Sequence, residues 1–134
     1  MRRGSGVLIL IVLATLAAVP AAKADTTPPT ITDPSWTPRY PITPSNVTLS
    51  ANVSDPDGVA FVSATWCAVP PFLCTYPQLY HVGGNLYVGN ESTFPRSMGA
   101  SYEVFAQDNA GNSITIGPFY ALFVDSLNLT LTPR

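Results

Sequence analysis

The sequence predicts an all-β fold, an antiparallel sandwich of about seven strands preceded by an N-terminal export segment. Residue types that favour strands and turns dominate the chain after residue 24: Val, Thr, Tyr, Phe, Gly, Pro and Asn. No window in that part places apolar residues at helical spacing. Short alternating segments between turn residues are typical of sandwiches with Greek-key crossings.

Residues 1–24 predict a signal peptide. Two arginines follow Met1, an uncharged run covers residues 4–22, and Ala22-Lys23-Ala24 has the small-x-small spacing that signal peptidase cleaves. A retained membrane anchor is the alternative, because the uncharged run can just span a bilayer of about 30 Å. The expected location is therefore secreted or at the cell surface, with membrane contact only through this segment if it stays uncleaved.

Cleavage after Ala24 would leave a mature chain whose charge excludes two classes of partner. Its 110 residues hold three arginines, no lysine and eight acids, a net charge of −5. Nucleic acids and anionic membrane surfaces both require a basic surface on the protein. We therefore expect an extracellular protein or a glycan as the partner.

The seven strands are expected at residues 30–36, 47–54, 59–67, 76–82, 86–90, 101–107 and 113–124. The first is expected at a sheet edge, because Pro34 cannot donate a hydrogen bond to a ladder. Residues 39–45 follow Pro38 and contain two more prolines, so they are predicted to cross a corner between the sheets.

Period-two alternation identifies the strand faces that should point into the core. The inward sets are Val47, Leu49, Ala51 and Val53 in the second strand, Val62, Ala64 and Trp66 in the third, and Tyr102, Val104 and Ala106 in the sixth.

Turn residues punctuate these strands. Residues 55–58, Asp-Pro-Asp-Gly, combine a turn-capping side chain, a fixed φ and a glycine that tolerates positive φ. Residues 83–85, Gly-Gly-Asn, predict a compact hairpin, and residues 108–112 turn the chain into the last strand. That strand is expected to break near Gly117-Pro118.

Four segments together carry a family resemblance: Thr-Pro-Pro-Thr-Ile at residues 27–31, Val-Ser-Asp with Gly-Val at 53–59, Gly-Gly-Asn with Tyr87, and Tyr-Glu-Val-Phe-Ala-Gln-Asp-Asn-Ala-Gly-Asn at 102–112. This series resembles the immunoglobulin-like and fibronectin type III-like modules of prokaryotic secreted and cell-surface proteins, and it covers residues 25–125. Such modules serve as spacers, adhesins and carbohydrate-binding appendages.

The resemblance implies roles for two aromatic residues. It implies that Trp66 is the core tryptophan of the third strand, and that the Tyr102 hydroxyl bonds back to the nearby corner backbone. In one respect the chain departs from immunoglobulin domains, since neither cysteine lies on the second or sixth strand and no inter-sheet disulfide can form.

Cys67 and Cys74 are the only cysteines, so one intramolecular pairing exists. In an exported chain they are expected to form a structural disulfide, because their spacing suits neither redox nor zinc chemistry. The loop between them holds four apolar residues, Pro70, Pro71, Phe72 and Leu73. These could form a contact surface or fold back over the end of the sandwich, and the second outcome is expected.

Acidic and amide side chains are predicted to gather at one end of the sandwich, where the first strand begins and the second and sixth strands end. They are Asp25, Asp55, Asp57, Asp108, Asn109 and Asn112. Asp25, Asp55, Asp57, Asp108 and Asn112 are candidate ligands of a structural Ca²⁺, which prefers carboxylate and carbonyl oxygens. The alternative is that Asp and Asn merely form turns here.

Aromatic residues suggest a second class of binding site. Trp36, Tyr40, Tyr76, Tyr80, Tyr87 and Tyr120 are candidates for a flat surface that stacks on sugar rings. The alternative is that most of them are core residues or cross-strand pairs.

Four Asn-x-Ser/Thr sequons make Asn46, Asn52, Asn90 and Asn128 candidate glycosylation sites, and Asn52 is expected to point outward.

Residues 126–134 form a tail with leucines at alternate positions. It could donate a strand to a neighbouring sheet edge and give head-to-tail self-association, or it could be a strand end or a linker.

No catalytic motif is present. His81 is the lone histidine, and no pattern brings Glu91 and Glu103 into one cleft. The sequence therefore predicts a non-catalytic extracellular module for adhesion, surface scaffolding or protein–protein interaction, with carbohydrate binding as the alternative.

Overall fold

A computed structural model describes residues 24–43, 45–69, 72–93 and 98–125 of the chain. The predicted signal peptide, apart from Ala24, and the predicted tail lie outside these residues. In the part described, no helix is long and apolar enough to cross a membrane.

Ten strands are present among the described residues: β1 (Thr30–Thr37), β2 (Ile42–Thr43), β3 (Asn46–Ser54), β4 (Val59–Val69), β5 (Cys74–Thr75), β6 (Tyr80–Gly83), β7 (Leu86–Ser92), β8 (Gly99–Asp108), β9 (Ser113–Leu122) and β10 (Val124–Asp125). Eight of them form two antiparallel four-stranded sheets, and the fold is an all-β sandwich as predicted. The first sheet has the order β1-β3-β7-β6, and the second has the order β5-β4-β8-β9. Two sheets in this order match the arrangement of constant-type immunoglobulin sandwiches, with one short strand added at the edge of the second sheet.

Alternating side chains from both sheets fill the core as predicted. The inward residues of β3, β4 and β8 are all buried, and they form one cluster with Trp36, Leu79, Ala100 and Ala121. Burying such side chains stabilises the fold by roughly 25 cal/mol for each Å² of apolar surface removed from water.

Trp66 and Tyr102 are the two largest fully buried side chains. Their ring centroids lie 6.2 Å apart, and Tyr102 also meets Trp36 edge-on at 6.2 Å. Trp66 therefore occupies the core position on β4 that the resemblance implied.

The Tyr102 hydroxyl has a different partner from the one expected. It donates to the carbonyl oxygen of Ser50, 3.1 Å away on β3 of the other sheet, rather than to the corner backbone nearby. The reason is that Tyr102 points inward from the second sheet, so its hydroxyl reaches across the core. Burial raises the pKa of the Tyr102 hydroxyl well above its ordinary value, which keeps it a hydrogen-bond donor.

β1 lies at a sheet edge as predicted. Its register against β3 shifts between Thr32 and Ser35, where Asp33 has a φ of 51° and Pro34 follows. This bulge accommodates the proline, because the extra residue need not pair with β3.

The predicted strand at residues 76–82 is divided between the two sheets. Residues 74–78 run antiparallel to β4 in one continuous register. Cys74 pairs with Cys67 at one end, and Gln78 forms a bridge to Ser63 at the other. Leu79 is buried between the sheets, and the chain then enters β6 in the first sheet.

The turns agree with their predictions. The Gly58 amide donates to the Asp55 carbonyl oxygen at 3.2 Å, and Gly58 has a φ of 94°. Gly84 and Asn85 close the hairpin between β6 and β7. The pairing of β9 with β8 shifts register beside Gly117. A Cβ at this position would lie 2.8 Å from the Tyr102 carbonyl oxygen, which is too close for a side chain.

The predicted corner at residues 39–45 contains an additional short strand. β2 pairs in parallel with β10, Ile42 beside Val124 and Thr43 beside Asp125.

Candidate functional site

Three carboxylates meet at one end of the sandwich, hereafter the acidic end. Asp25 precedes β1, Asp55 follows β3, and Asp108 is the last residue of β8. One oxygen from each carboxylate lies within 4.8 Å of the other two. The topology thus brings these three predicted residues together, because the loops that carry them share one end of the sandwich.

Asn112 contacts these carboxylates through its amide nitrogen. Nδ2 lies 2.8 Å from Asp108 Oδ2, 3.2 Å from the carbonyl oxygen of Asp25 and 3.4 Å from Asp25 Oδ2. The backbone N–H of Asn112 also donates to Asp108 Oδ1 at 2.8 Å. Asn112 therefore acts as a donor that joins the Asp108 turn to the segment before β1, and it does not present an oxygen to the cluster.

Asp57 and Asn109 lie beside the acidic end rather than within the carboxylate group. The Asp57 amide donates to Asp55 Oδ1 at 2.8 Å, and the Asp57 carbonyl oxygen accepts from Asn109 Nδ2 at 2.9 Å. The Asp57 side chain is exposed at the tip of the turn. Its role in this structure is to close the turn through its backbone.

Turn formation accounts for only part of this arrangement. Oδ1 of Asp55 and both oxygens of Asp108 accept hydrogen bonds within their turns. Asp55 Oδ2 is buried and has no hydrogen-bond partner among the described residues. Calcium binding at this end stays a prediction.

Calcium is expected to raise the melting temperature of the chelator-treated protein, and Asp55→Asn is expected to abolish that rise. The reason is that a cation would offset the mutual repulsion of three nearby carboxylates. Thermal unfolding followed by circular dichroism at increasing Ca²⁺ measures the shift. Asp33→Asn, on the exposed bulge of β1, is the matched control and should keep the response. An unchanged melting temperature in saturating Ca²⁺ would contradict the calcium prediction.

Asp108 is buried, with 1% of its surface exposed. Burial raises the pKa of its carboxyl, but hydrogen bonds from the Asn112 side chain and from the backbone of Asn112, Ala110 and Gly111 outweigh burial and leave the pKa below its ordinary value. Because the folded-state pKa is depressed, this stabilisation is present above the ordinary aspartate pKa and is lost as the pH falls through the folded-state value.

Asp108→Asn is therefore expected to destabilise the protein at neutral pH and to flatten the loss of stability below about pH 4. Urea unfolding of wild type and variant at neutral and acidic pH tests this. The free energy of unfolding should fall steeply in acid for the wild type and less steeply for the variant. Equal slopes for the two proteins in acid would show that Asp108 is not responsible.

The six candidate aromatic residues do not form one flat surface. Trp36 belongs to the core, with 7% of its surface exposed, and its Nε1 donates to the Arg39 carbonyl oxygen at 3.0 Å. The guanidinium of Arg39 lies over its ring at 4.7 Å. Trp36 is therefore unable to stack on a sugar, and for this residue the alternative prediction, a core residue, is confirmed.

The tyrosines are distributed over different surfaces. Tyr87 is half-buried against His81, with ring centroids 5.2 Å apart. Tyr80 lies on the outer face of the first sheet, and Tyr40 lies in the corner before β2. Only Tyr76 and Tyr120 share a face, the outer face of the second sheet, where Tyr120 pairs with Ser101.

Cys67 and Cys74 form the predicted disulfide, which joins directly opposed residues of β4 and β5. Phe72 and Leu73 are 78% and 56% exposed. The expectation that the loop folds back over the sandwich was wrong for these two residues, because the short disulfide-closed loop carries them beyond the sheet. Pro70 and Pro71 lie outside the described residues.

Exposed apolar side chains gather on the outer face and the adjoining end of the second sheet. We call this set the contact patch: Phe72, Leu73, Tyr76, Met98, Tyr120 and Leu122. A pocket of about 200 Å³ lies between Met98 and the Tyr120–Leu122 segment of β9. Sequence reasoning missed this pocket, although alternation in β9 already places Tyr120 and Leu122 on one side.

The outer face of the first sheet carries polar side chains along β3 and apolar ones, Tyr80, Leu86 and Val88, along β6 and β7. The buried positions of β3 alternate with Asn46, Thr48, Ser50 and Asn52, which therefore point outward, and Asn90 lies beside Thr48 on β7. Three of the four sequon asparagines thus share this face, which we call the sequon face. Asn128 lies outside the described residues.

Comparison with protein families, with curated proteins and with solved structures finds no match.

The residues considered for catalysis are separated. His81 is exposed, and its Nε2 donates to the Gly84 carbonyl oxygen at 2.8 Å. Glu91 and Glu103 lie on different sheets, on β7 and β8.

Proposed function

We propose that this chain is a non-catalytic extracellular binding or structural module, of the immunoglobulin-like and fibronectin type III-like kind, and that the contact patch is its contact surface. The single observation that supports this is the contact patch itself: six apolar side chains, each 56–78% exposed, with a pocket of about 200 Å³ beside Met98, Tyr120 and Leu122. The outer face of the first sheet also carries exposed apolar side chains, Tyr80 and Leu86 among them, but these stand among serine, threonine and asparagine.

Contact with an apolar surface of another extracellular protein fits the patch best. Large exposed apolar patches on soluble domains commonly mark interaction sites, and tyrosine, phenylalanine and methionine are enriched at protein interfaces. Phe72 and Leu73 are held by a short cross-linked loop, so ordering them on binding costs little entropy. These features support adhesion or surface scaffolding as the role.

Site-specific photo-cross-linking in cells of the native source tests which face is used. A photoreactive phenylalanine analogue at Tyr120 is expected to give a discrete protein adduct, whereas the same analogue at Thr48, on the sequon face, should give none. Tyr80 is a second control, because it is comparably exposed on the other sheet. Adducts from Thr48 and Tyr80 alone would refute the assignment of the contact patch.

Carbohydrate binding is the second candidate, favoured by the placement of Tyr76 and Tyr120. Continuing the β4–β5 register puts Tyr76 beside Thr65, at the edge opposite β9. The two tyrosines are three inter-strand spacings apart across the sheet and two residues apart along the strands, which together separate them by about 16 Å. Thr65, Ser101 and Glu103 lie between them and offer hydrogen-bonding groups to sugar hydroxyls.

Binding to insoluble polysaccharides and to a glycan array distinguishes this candidate. If sugars bind here, Tyr76→Ala and Tyr120→Ala should each weaken binding by up to about tenfold, since an aromatic contact contributes up to about 1.5 kcal/mol. Tyr80→Ala is the matched control, because Tyr80 is 63% exposed but lies on the outer face of the first sheet. The absence of binding by the wild type, or equal loss in the control, would exclude the candidate.

A further inference from the structure

Two of the sequons face each other across the first sheet. Asn46-Val47-Thr48 lies on β3 and Asn90-Glu91-Ser92 lies on β7, in antiparallel register with Asn46 opposite Ser92 and Thr48 opposite Asn90. The hydroxyl of each sequon therefore lies beside the asparagine of the other.

These hydroxyls are hydrogen-bonded reciprocally. Thr48 Oγ1 donates to Asn90 Oδ1 at 3.1 Å, and Ser92 Oγ donates to Asn46 Oδ1 at 3.3 Å. Both amide oxygens are thus engaged, while neither Nδ2 atom has a partner among the described residues. Nδ2 is the atom that an N-linked glycan modifies, and both asparagines are exposed.

Asn52 shares the sequon face but is arranged differently. It is half-buried, and its Nδ2 donates to Asp33 Oδ2 at 3.0 Å across the bulge in β1. A glycan on this nitrogen would replace one of its two hydrogens and place the first sugar beside Asp33, whose left-handed φ of 51° belongs to the bulge. At Asn46 and Asn90 the exposed Nδ2 has no described contact, whereas Asn52 is half-buried and its Nδ2 is hydrogen-bonded, which leaves less room for a sugar.

A neighbouring aromatic side chain gives a glycan a surface to cover. Tyr80 is 63% exposed and pairs with Val88, two residues from Asn90 on the same face. Diagonal neighbours in an antiparallel sheet lie about 7–8 Å apart, within reach of an aromatic ring. The apolar side of the first sugar can therefore pack against Tyr80 and remove it from water.

We propose that the Asn46–Asn90 pair is the N-glycosylation site of this domain, occupied at one or both residues, and that Asn52 is not modified. The inference rests on the predicted export of the chain, which exposes it to an oligosaccharyltransferase and a lipid-linked oligosaccharide donor. In the transfer, a bond forms between Nδ2 and the anomeric carbon of the first sugar. The bond from that carbon to the lipid phosphate oxygen breaks, the lipid phosphate leaves, and a basic group of the transferase accepts one proton from Nδ2.

Peptide mapping by mass spectrometry of the protein from its native source tests the proposal. Chymotrypsin cleavage after Leu49 separates Asn46 from Asn52, and cleavage after Tyr87 isolates Asn90. The expected result is a glycan mass on the Asn46 peptide, the Asn90 peptide or both, with the Asn52 peptide unmodified. Unmodified peptides at both Asn46 and Asn90, or a glycan at Asn52, would overturn the proposal.

A pair of variants in the native source provides the matched control. Thr48→Val with Ser92→Ala removes both sequon hydroxyls and should eliminate the glycan mass from these peptides, whereas Thr48→Ser with Ser92→Thr keeps both sequons and should retain it. Ser54→Ala removes the Asn52 sequon and should leave the glycan pattern unchanged. Near-UV circular dichroism confirms folding, and a glycan that survives in the double variant lacking both hydroxyls would refute the assignment.

Discussion

Trp66→Ala is expected to lower the free energy of unfolding by about 3–5 kcal/mol, the usual cost of truncating a buried tryptophan. Trp66 is fully buried and contacts Tyr102 and Phe123, with ring centroids 6.2 and 6.0 Å away. Small domains are stable by only about 5–15 kcal/mol, so the variant should be close to unfolding at 37 °C. Urea unfolding monitored by circular dichroism measures the change.

Two further variants identify the cause of that loss. Trp66 Nε1 is buried and has no hydrogen-bond partner among the described residues, so Trp66→Phe removes an unsatisfied donor and should cost well under half as much as Trp66→Ala. Tyr120→Ala, on a residue that is 68% exposed, should change stability by less than about 0.5 kcal/mol. A Trp66→Ala variant as stable as Tyr120→Ala would contradict the packing argument.

Replacing both cysteines by serine is expected to reduce stability by about 2–3 kcal/mol, the loop-entropy value for a short cross-linked segment. The disulfide joins residues seven positions apart and closes the loop that carries Phe72 and Leu73. In a domain of this size the loss corresponds to a fall in melting temperature of roughly 10–20 °C. Differential scanning calorimetry measures it.

Reducing agent supplies the control for the cysteine variant. It should lower the melting temperature of the wild type to that of the variant and leave the variant itself unchanged. Because the loop also orients part of the contact patch, the cross-linking yield from Tyr120 should fall in the variant. A variant as stable as the oxidised wild type would show that the cross-link does not stabilise the fold.

Local alternation was sufficient to predict the central strands. Val47 to Val53 alternate strictly with polar residues, whereas Tyr102, Val104 and Ala106 alternate with Glu103 and Phe105; in both strands the alternate positions are buried. The gathering of Asp25, Asp55 and Asp108 was also predictable, since it follows from which loops share an end.

Other features depend on contacts between distant residues and could not be predicted. The turn at residues 83–85 predicts residues 76–82 as one strand, yet the chain passes between the sheets at Leu79, whose side chain is buried in the core. The partner of the Tyr102 hydroxyl is 52 residues away in sequence. Similarly, the amide orientation of Asn112 depends on the position of Asp25, which precedes it by 87 residues.

The short parallel pair formed by β2 and β10 has a mechanical consequence. The described chain begins at the acidic end of the sandwich, and β9 leads to β10 at the opposite end. Once β1 has separated from β3, tension between the two ends of the described chain would draw β2 and β10 in opposite directions along their shared axis. Their hydrogen bonds would then be loaded together in shear rather than opened one after another.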